Sequence, residues 1–427
     1  MKKLGISLLF WSIAAWSWAQ QPIPEYQTYT LKNGLKVVFL NYGKIDAVAV
    51  QLVVNSGEKN ETPEQTEFSD IAANMTLMGN VKYSATDQKV ALFKLGTNIS
   101  ASAGADFTTW TAEFLTRELN QGMDLLFQTV TQPKFDPEYL SQYTDQLSTF
   151  NNPNRMDIGE LADKSADEWI FGKDHPFGRY PSAEAYAQIT PEKLREFYDF
   201  NVAPSTSTLV LCGKFDVAQA KALVESVWGS WQGKYAQSNT VKLPQPTFKS
   251  VEVKKVTRTG ADQTMLLFTG NAPAQESEEA LAFTVANDIF SDMLFREVRE
   301  KGGKTYGIGS QYIATSVSHI FQIKTQVRSK EAQATAALVD QVMDDVATKG
   351  FSKSDFDASV MKFKNQVLSL ETPSALLSFY NPLRYKFEKR KLFLSNLEKL
   401  TFEQVNAIGK KYLGDAKYKL VMVGPEN

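Results

Sequence analysis

Apolar and polar positions run in two rhythms along this chain of 427 residues, and the same succession of rhythms is written twice. Residues 189–213, ITPEKLREFYDFNVAPSTSTLVLCG, open with a threonine placed to cap a helix. Apolar residues at helical spacing follow, then a strand-like apolar run closing on Gly213. Residues 400–424, LTFEQVNAIGKKYLGDAKYKLVMVG, repeat the plan, and threonine and glycine stand 23 residues apart in both. Upstream, TTWTAEFLTRELNQGMDLLFQTVTQPKF (108–135) reads as strand, turn and helix, closing on Phe135. SHIFQIKTQVRSKEAQATAALVDQVMDDVATKGF (318–351) does the same and closes on Phe351. The offsets, 211 and 216 residues, are nearly equal, so the blocks recur collinearly.

Clustered strands with interposed helices predict an α+β fold of two homologous halves, each an antiparallel sheet packed with helices. The halves span residues 20–230 and 251–427. Between them, WQGKYAQSNTVKLPQPTFKS (231–250) is polar, holds prolines and has no helical period, which predicts a linker. In the first half, AVAVQLVVNSG (47–57) reads as a strand and SDIAANMTLMG (69–79) as a buried helix ending at Gly79. KLGTNISASAGADFTTW (94–110) predicts an edge strand rich in small residues.

Apolar content of 43% and charged content of 22% place the chain among globular proteins, too long for one ordinary core. A formal charge of −2 without a basic patch argues against nucleic acid as a partner. MKKLGISLLFWSIAAWSWAQ opens with Lys2 and Lys3, continues in an apolar run, and ends with small residues at Ser17 and Ala19. It predicts a signal peptide over 1–19, cut after Ala19, hence a periplasmic or secreted bacterial protein. The run is too short to cross a bilayer, so no membrane span is expected after cleavage. The single cysteine, Cys212, excludes a disulfide framework and reads as a small buried hydrophobe in a strand.

Candidate chemistry is sparse. The two histidines, His175 and His319, lie 144 residues apart, so no pair at metal-binding spacing exists, and each reads as structural. Asp70 and Asn74 share a helical face, but two oxygen donors are too few for a dedicated cation. REVREKGGKTYGIGS (296–310) carries Arg299 and Tyr306; by itself it reads as a basic helix end with a glycine cap.

Five separated blocks change that picture: LKNGLKVVFL (31–40), VVNSGEKNE (53–61), KDHPFGRYPSAEAYAQIT (173–190), REKGGKTYGIGS (299–310) and LSLETPSALL (368–377). In this order they resemble the pitrilysin/insulinase-type zinc metallopeptidases, the inverzincins, in particular the small bacterial members related to mitochondrial processing peptidase. Catalytic members carry H-x-x-E-H on a helix, two zinc-binding imidazoles one turn apart with a general base between them. The resemblance sets Asp70, Ile71, Ala72, Ala73 and Asn74 on those five positions. It sets the third ligand near Thr149, Phe150 and Asn151, where no carboxylate stands.

No metal ligand and no cofactor are therefore expected in this chain. Arg299 and Tyr306 do match a family pair, whose guanidinium and hydroxyl hold the scissile carbonyl and its developing oxyanion. The segment NDIFSDMLF before them is shorter than its family counterpart. The resemblance thus implies a zinc-free accessory subunit of a heterodimeric peptidase. It would lend Arg299 and Tyr306 to a homologous zinc-bearing partner acting on unfolded peptide. The alternative is a non-catalytic peptide-binding or scaffold protein of the same fold.

Overall fold

The computed structural model describes residues 26–233, 243–380 and 392–426. The signal peptide assigned to 1–19 and residues 234–242 of the linker lie outside them. The first sheet is built from β1 (Tyr26–Thr30), β2 (Lys36–Asn41), β3 (Ala47–Val54), β4 (Ser100–Ala103), β5 (Thr108–Leu115) and β6 (Ser207–Gly213), in the order β1-β2-β6-β3-β5-β4. The strands apolar at nearly every position, β3 and β6, lie at its centre with both faces buried. β5 alternates, with Thr108, Trp110, Ala112 and Phe114 turned into the core.

One face of this sheet carries α1 (Phe68–Met75), α2 (Ala85–Lys94), α3 (Leu119–Thr131) and α4 (Pro137–Phe150). α5 (Ile158–Ile170) departs from it, as described below; the short α6 (Ala183–Tyr186), α7 (Pro191–Asn201) and α8 (Val217–Trp228) complete the layer. Trp110, Phe114, Leu126 and Trp228, all fully buried, fill the space between. The capping predicted for α7 is made: Thr190 Oγ1 accepts the Lys193 N–H at 3.3 Å.

The second sheet runs β7-β11-β8-β10-β9, formed by β7 (Glu252–Thr257), β8 (Gln263–Asn271), β9 (Thr305–Ala314), β10 (His319–Arg328) and β11 (Tyr418–Gly424). Its helical layer consists of α9 (Ala280–Leu294), α10 (Ala332–Thr348) and α11 (Lys353–Leu368). α12 (Pro373–Tyr380) again departs, and α13 (Phe393–Lys399) and α14 (Phe402–Gly409) close the layer. Thr401 caps α14 as Thr190 caps α7, its Oγ1 accepting the Gln404 N–H at 3.2 Å.

Each sheet departs from the purely antiparallel expectation at one pair. β2 runs parallel to β6 and β7 parallel to β11, in registers such as Val38↔Val210 and Val421↔Lys254. In each case the strands are far apart in sequence, and only such long connections allow parallel neighbours.

The two departing helices change places. α5 lies on the second sheet, where Ala162 and Ala166 pack on Met265, Leu267, Val421 and Val423. α12 lies on the first, where Leu376 and Leu377 cover Val38, Leu40, Ala49, Val210 and Cys212. The central strands of each sheet are thus covered on their second face by a helix from the other part of the chain.

Candidate functional site

The helix aligned with the zinc motif is α1, and a hydrogen-bond network surrounds its start. Glu67 precedes the helix with φ 68°, a left-handed conformation that a residue with a Cβ rarely adopts. That turn points its carboxylate at Tyr186 and Asn151: the Tyr186 hydroxyl donates at 2.5 Å and Asn151 Nδ2 at 3.1 Å. Asn151 Nδ2 also reaches the Tyr186 hydroxyl oxygen. The Glu61 carboxylate accepts the N–H groups of Glu67 (2.9 Å) and Ser69 (2.8 Å), satisfying the open start of α1 in place of a capping side chain.

The five motif positions are accounted for in turn. Ile71, Ala72 and Ala73 are buried in the first core. Asp70 Oδ2 accepts from the Tyr143 hydroxyl of α4 at 3.3 Å. Asn74 folds back to donate to the Asp70 carbonyl at 3.0 Å. The place predicted for the third ligand falls at the end of α4, where Phe150 is exposed and Asn151 is committed to Glu67. An imidazole-and-carboxylate cage for zinc does not fit this donor set. Among the described residues no group of three or more His, Cys, Asp or Glu is arranged to hold a metal ion.

Burial dominates the electrostatics here. It pushes the Glu58 carboxyl up to about 7, with the charges of Asp70, Glu67 and Asp106 adding to the shift. It raises Glu61 to about 8 against the opposing pull of its N–H bonds, and it raises Glu67 and Asp70 as well. Sequence reading placed Asp70 and Asn74 correctly on one face and missed Glu67. Its one signal was a glutamate in the strained position before a helix, which no propensity reveals.

Arg299 and Tyr306 stand on the second sheet. α9 runs on into a wider π-helical turn, Phe295–Lys301, closed by Gly302 and Gly303, the latter at φ 61°. Arg299 is exposed at the end of that turn, its guanidinium 4.6 Å from the centre of the Phe295 ring. Neighbouring basic residues are engaged otherwise: Arg296 grips Asp355 at 2.8 and 3.3 Å, and Lys301 pairs with Glu297 at 2.7 Å. Tyr306 is the second residue of the edge strand β9 and is 93% exposed. Its hydroxyl and the Arg299 guanidinium are thus available to a group outside the chain, while neither touches α1. His175 and His319 are not brought to α1 either: His175 meets the backbone of Val317 in the turn between β9 and β10, and His319 opens β10.

Two family models divide the chain. Residues 36–153 match the one described as Insulinase (Peptidase family M16), and residues 188–363 match Peptidase M16 inactive domain. The chain belongs to peptidase family M16. Among relatives, an uncharacterized zinc protease of Bacillus subtilis, YmxG, is 21% identical over 93% of this chain and 98% of its own length. Among solved structures, a peptidase M16 inactive domain from Pseudomonas fluorescens superposes with a TM-score of 0.83 at 21% identity, covering 94% of this chain and 98% of the other. The periplasmic protease PqqL of Escherichia coli matches with a TM-score of 0.80 at 14% identity; all of this chain corresponds to 49% of PqqL. These superpositions establish the M16 fold. Within it, this chain is an inactive-domain-like member, with Glu67 just before α1 bonded to Tyr186 and Asn151 and Asp70 on α1 bonded to Tyr143.

Proposed function

We propose that this chain is the zinc-free subunit of a heterodimeric periplasmic peptidase. It lends Arg299 and Tyr306 to the H-x-x-E-H site of a homologous zinc-bearing partner that hydrolyses unfolded peptide. One contrast carries the reading. The carboxylates of Glu61, Glu67 and Asp70 around α1 are bonded to groups of the same chain, whereas Tyr306 and Arg299 are exposed on the second sheet with their donors unspent. In the assembled site the guanidinium would hold the substrate carbonyl and the phenol would donate to the oxygen on which negative charge develops. A guanidinium and a phenol are both hydrogen-bond donors, which is what this role requires.

The remaining parts of the proposal have separate support. A chain of this length matches about half of PqqL, and the separately solved first half of PqqL is covered over 94% of its length. A protein in which a unit of this size is one half of a longer chain offers a precedent for joining such a unit to another. PqqL is described as periplasmic, which agrees with the leader read over residues 1–19. Among the described residues no helix is long and apolar enough to cross a membrane.

The test is reconstitution. The purified mature chain should carry well under one equivalent of zinc and cleave no unstructured peptide. Mixed with a zinc-bearing M16 chain of the same cell, it should form a 1:1 complex by light scattering, with peptidase activity exceeding that of either chain alone. Stoichiometric zinc on the isolated chain, or a partner fully active without it, would overturn the reading. A stable complex without gain in activity would favour the scaffold alternative.

A further inference from the structure

Both histidines of the chain sit at one seam. The turn between β9 and β10, Thr315–Ser318, is gripped by the turn between β4 and β5: Asp106 Oδ2 accepts the Ser316 N–H at 2.8 Å, and Oδ1 meets the Ser316 hydroxyl. Lys59 pairs with the same carboxylate at 3.2 Å, and both side chains are largely withdrawn from water. On the other side of the turn lies His175, 2% exposed, stacked on Phe171 at 4.8 Å and edge-on to Phe177 at 5.0 Å. Its Nδ1 accepts the Phe177 N–H at 3.1 Å, so the ring is neutral and its proton resides on Nε2. Nε2 meets the backbone of Val317 yet makes no hydrogen bond of good geometry. Ser318 Oγ, on the turn, and His319 Nδ1, at the first residue of β10 and beside the Ser318 backbone, are likewise buried without a hydrogen bond of good geometry. Three orphaned polar atoms at one contact are unusual, since buried polar groups are nearly always bonded.

We propose that this seam is an acid-sensitive latch: protonation of His175 and His319 releases the Thr315–Ser318 turn from the first half of the chain and frees the tip of the β9–β10 edge hairpin. The inference is independent of the pairing proposed above.

The chemistry is direct. A proton on His175 Nδ1 converts an acceptor into a donor facing the Phe177 N–H, which breaks that bond and creates a buried cation. The surrounding charges do not compensate. On its own segment, Arg179 adds positive charge beside the ring, its guanidinium spent on the carbonyls of Glu61, Lys173 and Asp174; Lys173 and Asp174 complete that segment. From the turn Glu58–Asn60 come Lys59 and Glu58, and Glu58 becomes neutral in the same acid range. From α5 come Asp167, bound to the Tyr180 hydroxyl, Glu168, paired with Lys164, and Asp163, paired with Lys324. Asp106 favours the charged form of His319 but is held by Lys59 and Ser316. Burial pulls both imidazoles below the usual histidine range. Each pKa unit between seated and freed ring favours release about tenfold once the pH lies below both.

Hydrogen exchange on the mature chain tests this, with amide rates corrected for their intrinsic pH dependence. Between about pH 7.5 and about pH 5, where an ordinary histidine gains its proton, protection should fall at 313–319 and 103–108 but hold in α10. The double variant His175→Gln/His319→Gln should abolish that pH response. If His175→Gln prevents folding, His319→Gln alone should remove part of the response. The two imidazole C–H resonances should titrate below the ordinary range. A response undiminished in the variants, a wild type with no response, or imidazoles titrating normally would each overturn the proposal.

Discussion

A glutamate held at φ 68° costs on the order of 1–3 kcal/mol, so its bonds must hold it there. Tyr186 and Asn151 do so, and Tyr186→Phe removes one of these donors with almost no change in volume. The variant should lose about 1–3 kcal/mol in urea unfolding, the cost of a buried acceptor left unmet. No change would mean that the network is ornamental. The buried carboxyls also set the pH dependence of stability. Glu58, Glu61 and Asp167 keep their protons to about 7, 8 and 7, whereas their ordinary values are 4.5, 4.5 and 3.8. Through that interval the folded chain binds more protons than the unfolded one, so stability falls as pH rises. The two histidines, shifted downward, act in the opposite sense as pH drops through their ordinary value of 6.5. Calorimetry should therefore give a lower Tm at about pH 8 than at about pH 6, with Glu58→Gln flattening the slope; a steady rise over that range would contradict the assignment. At this scale the absence of any closely spaced histidine pair was legible by inspection. The inward turn of Glu67 was not, because tertiary bonds impose it on a residue with no local preference for it.

At the scale of elements, the helix caps at Thr190 and Thr401 were legible because the capping hydroxyl and the N–H it accepts are three residues apart in sequence. The exchange of α5 and α12 was hidden. Helical periodicity says that a face is apolar, not which sheet will cover it. The same holds for the parallel pairs, which join strands whose meeting depends on the whole chain. The exchange makes a measurable link through Cys212, fully buried beneath α12 with its thiol pushed up to about 12 by burial. Leu376→Ala or Leu377→Ala should cost about 2–5 kcal/mol, as core truncations of leucine do. Each should also speed native-state labelling of Cys212 by a thiol reagent. Labelling unchanged in both variants would show that α12 does not guard that face.

At the scale of the molecule, the doubled pattern made the α+β class readable and five separated blocks in order made the M16 resemblance readable, since ordered blocks outlast divergence of individual residues. What they could not supply was the contrast between the internally bonded carboxylates at α1 and an exposed Arg299 and Tyr306, which depends on side-chain surroundings. That contrast carries the functional proposal, and steady-state kinetics of the assembled pair test it most directly. The kcat/KM for an unstructured peptide should be compared at matched complex concentration for wild type, Tyr306→Phe, Arg299→Ala and Lys301→Ala. Tyr306 is so exposed that losing its hydroxyl should leave folding and assembly intact while lowering kcat about 10²–10³-fold, the usual cost of an oxyanion donor. Arg299→Ala should impair both substrate capture and turnover, and Lys301→Ala, on the same basic turn, should do little. Small and equal effects from all three substitutions would contradict the account.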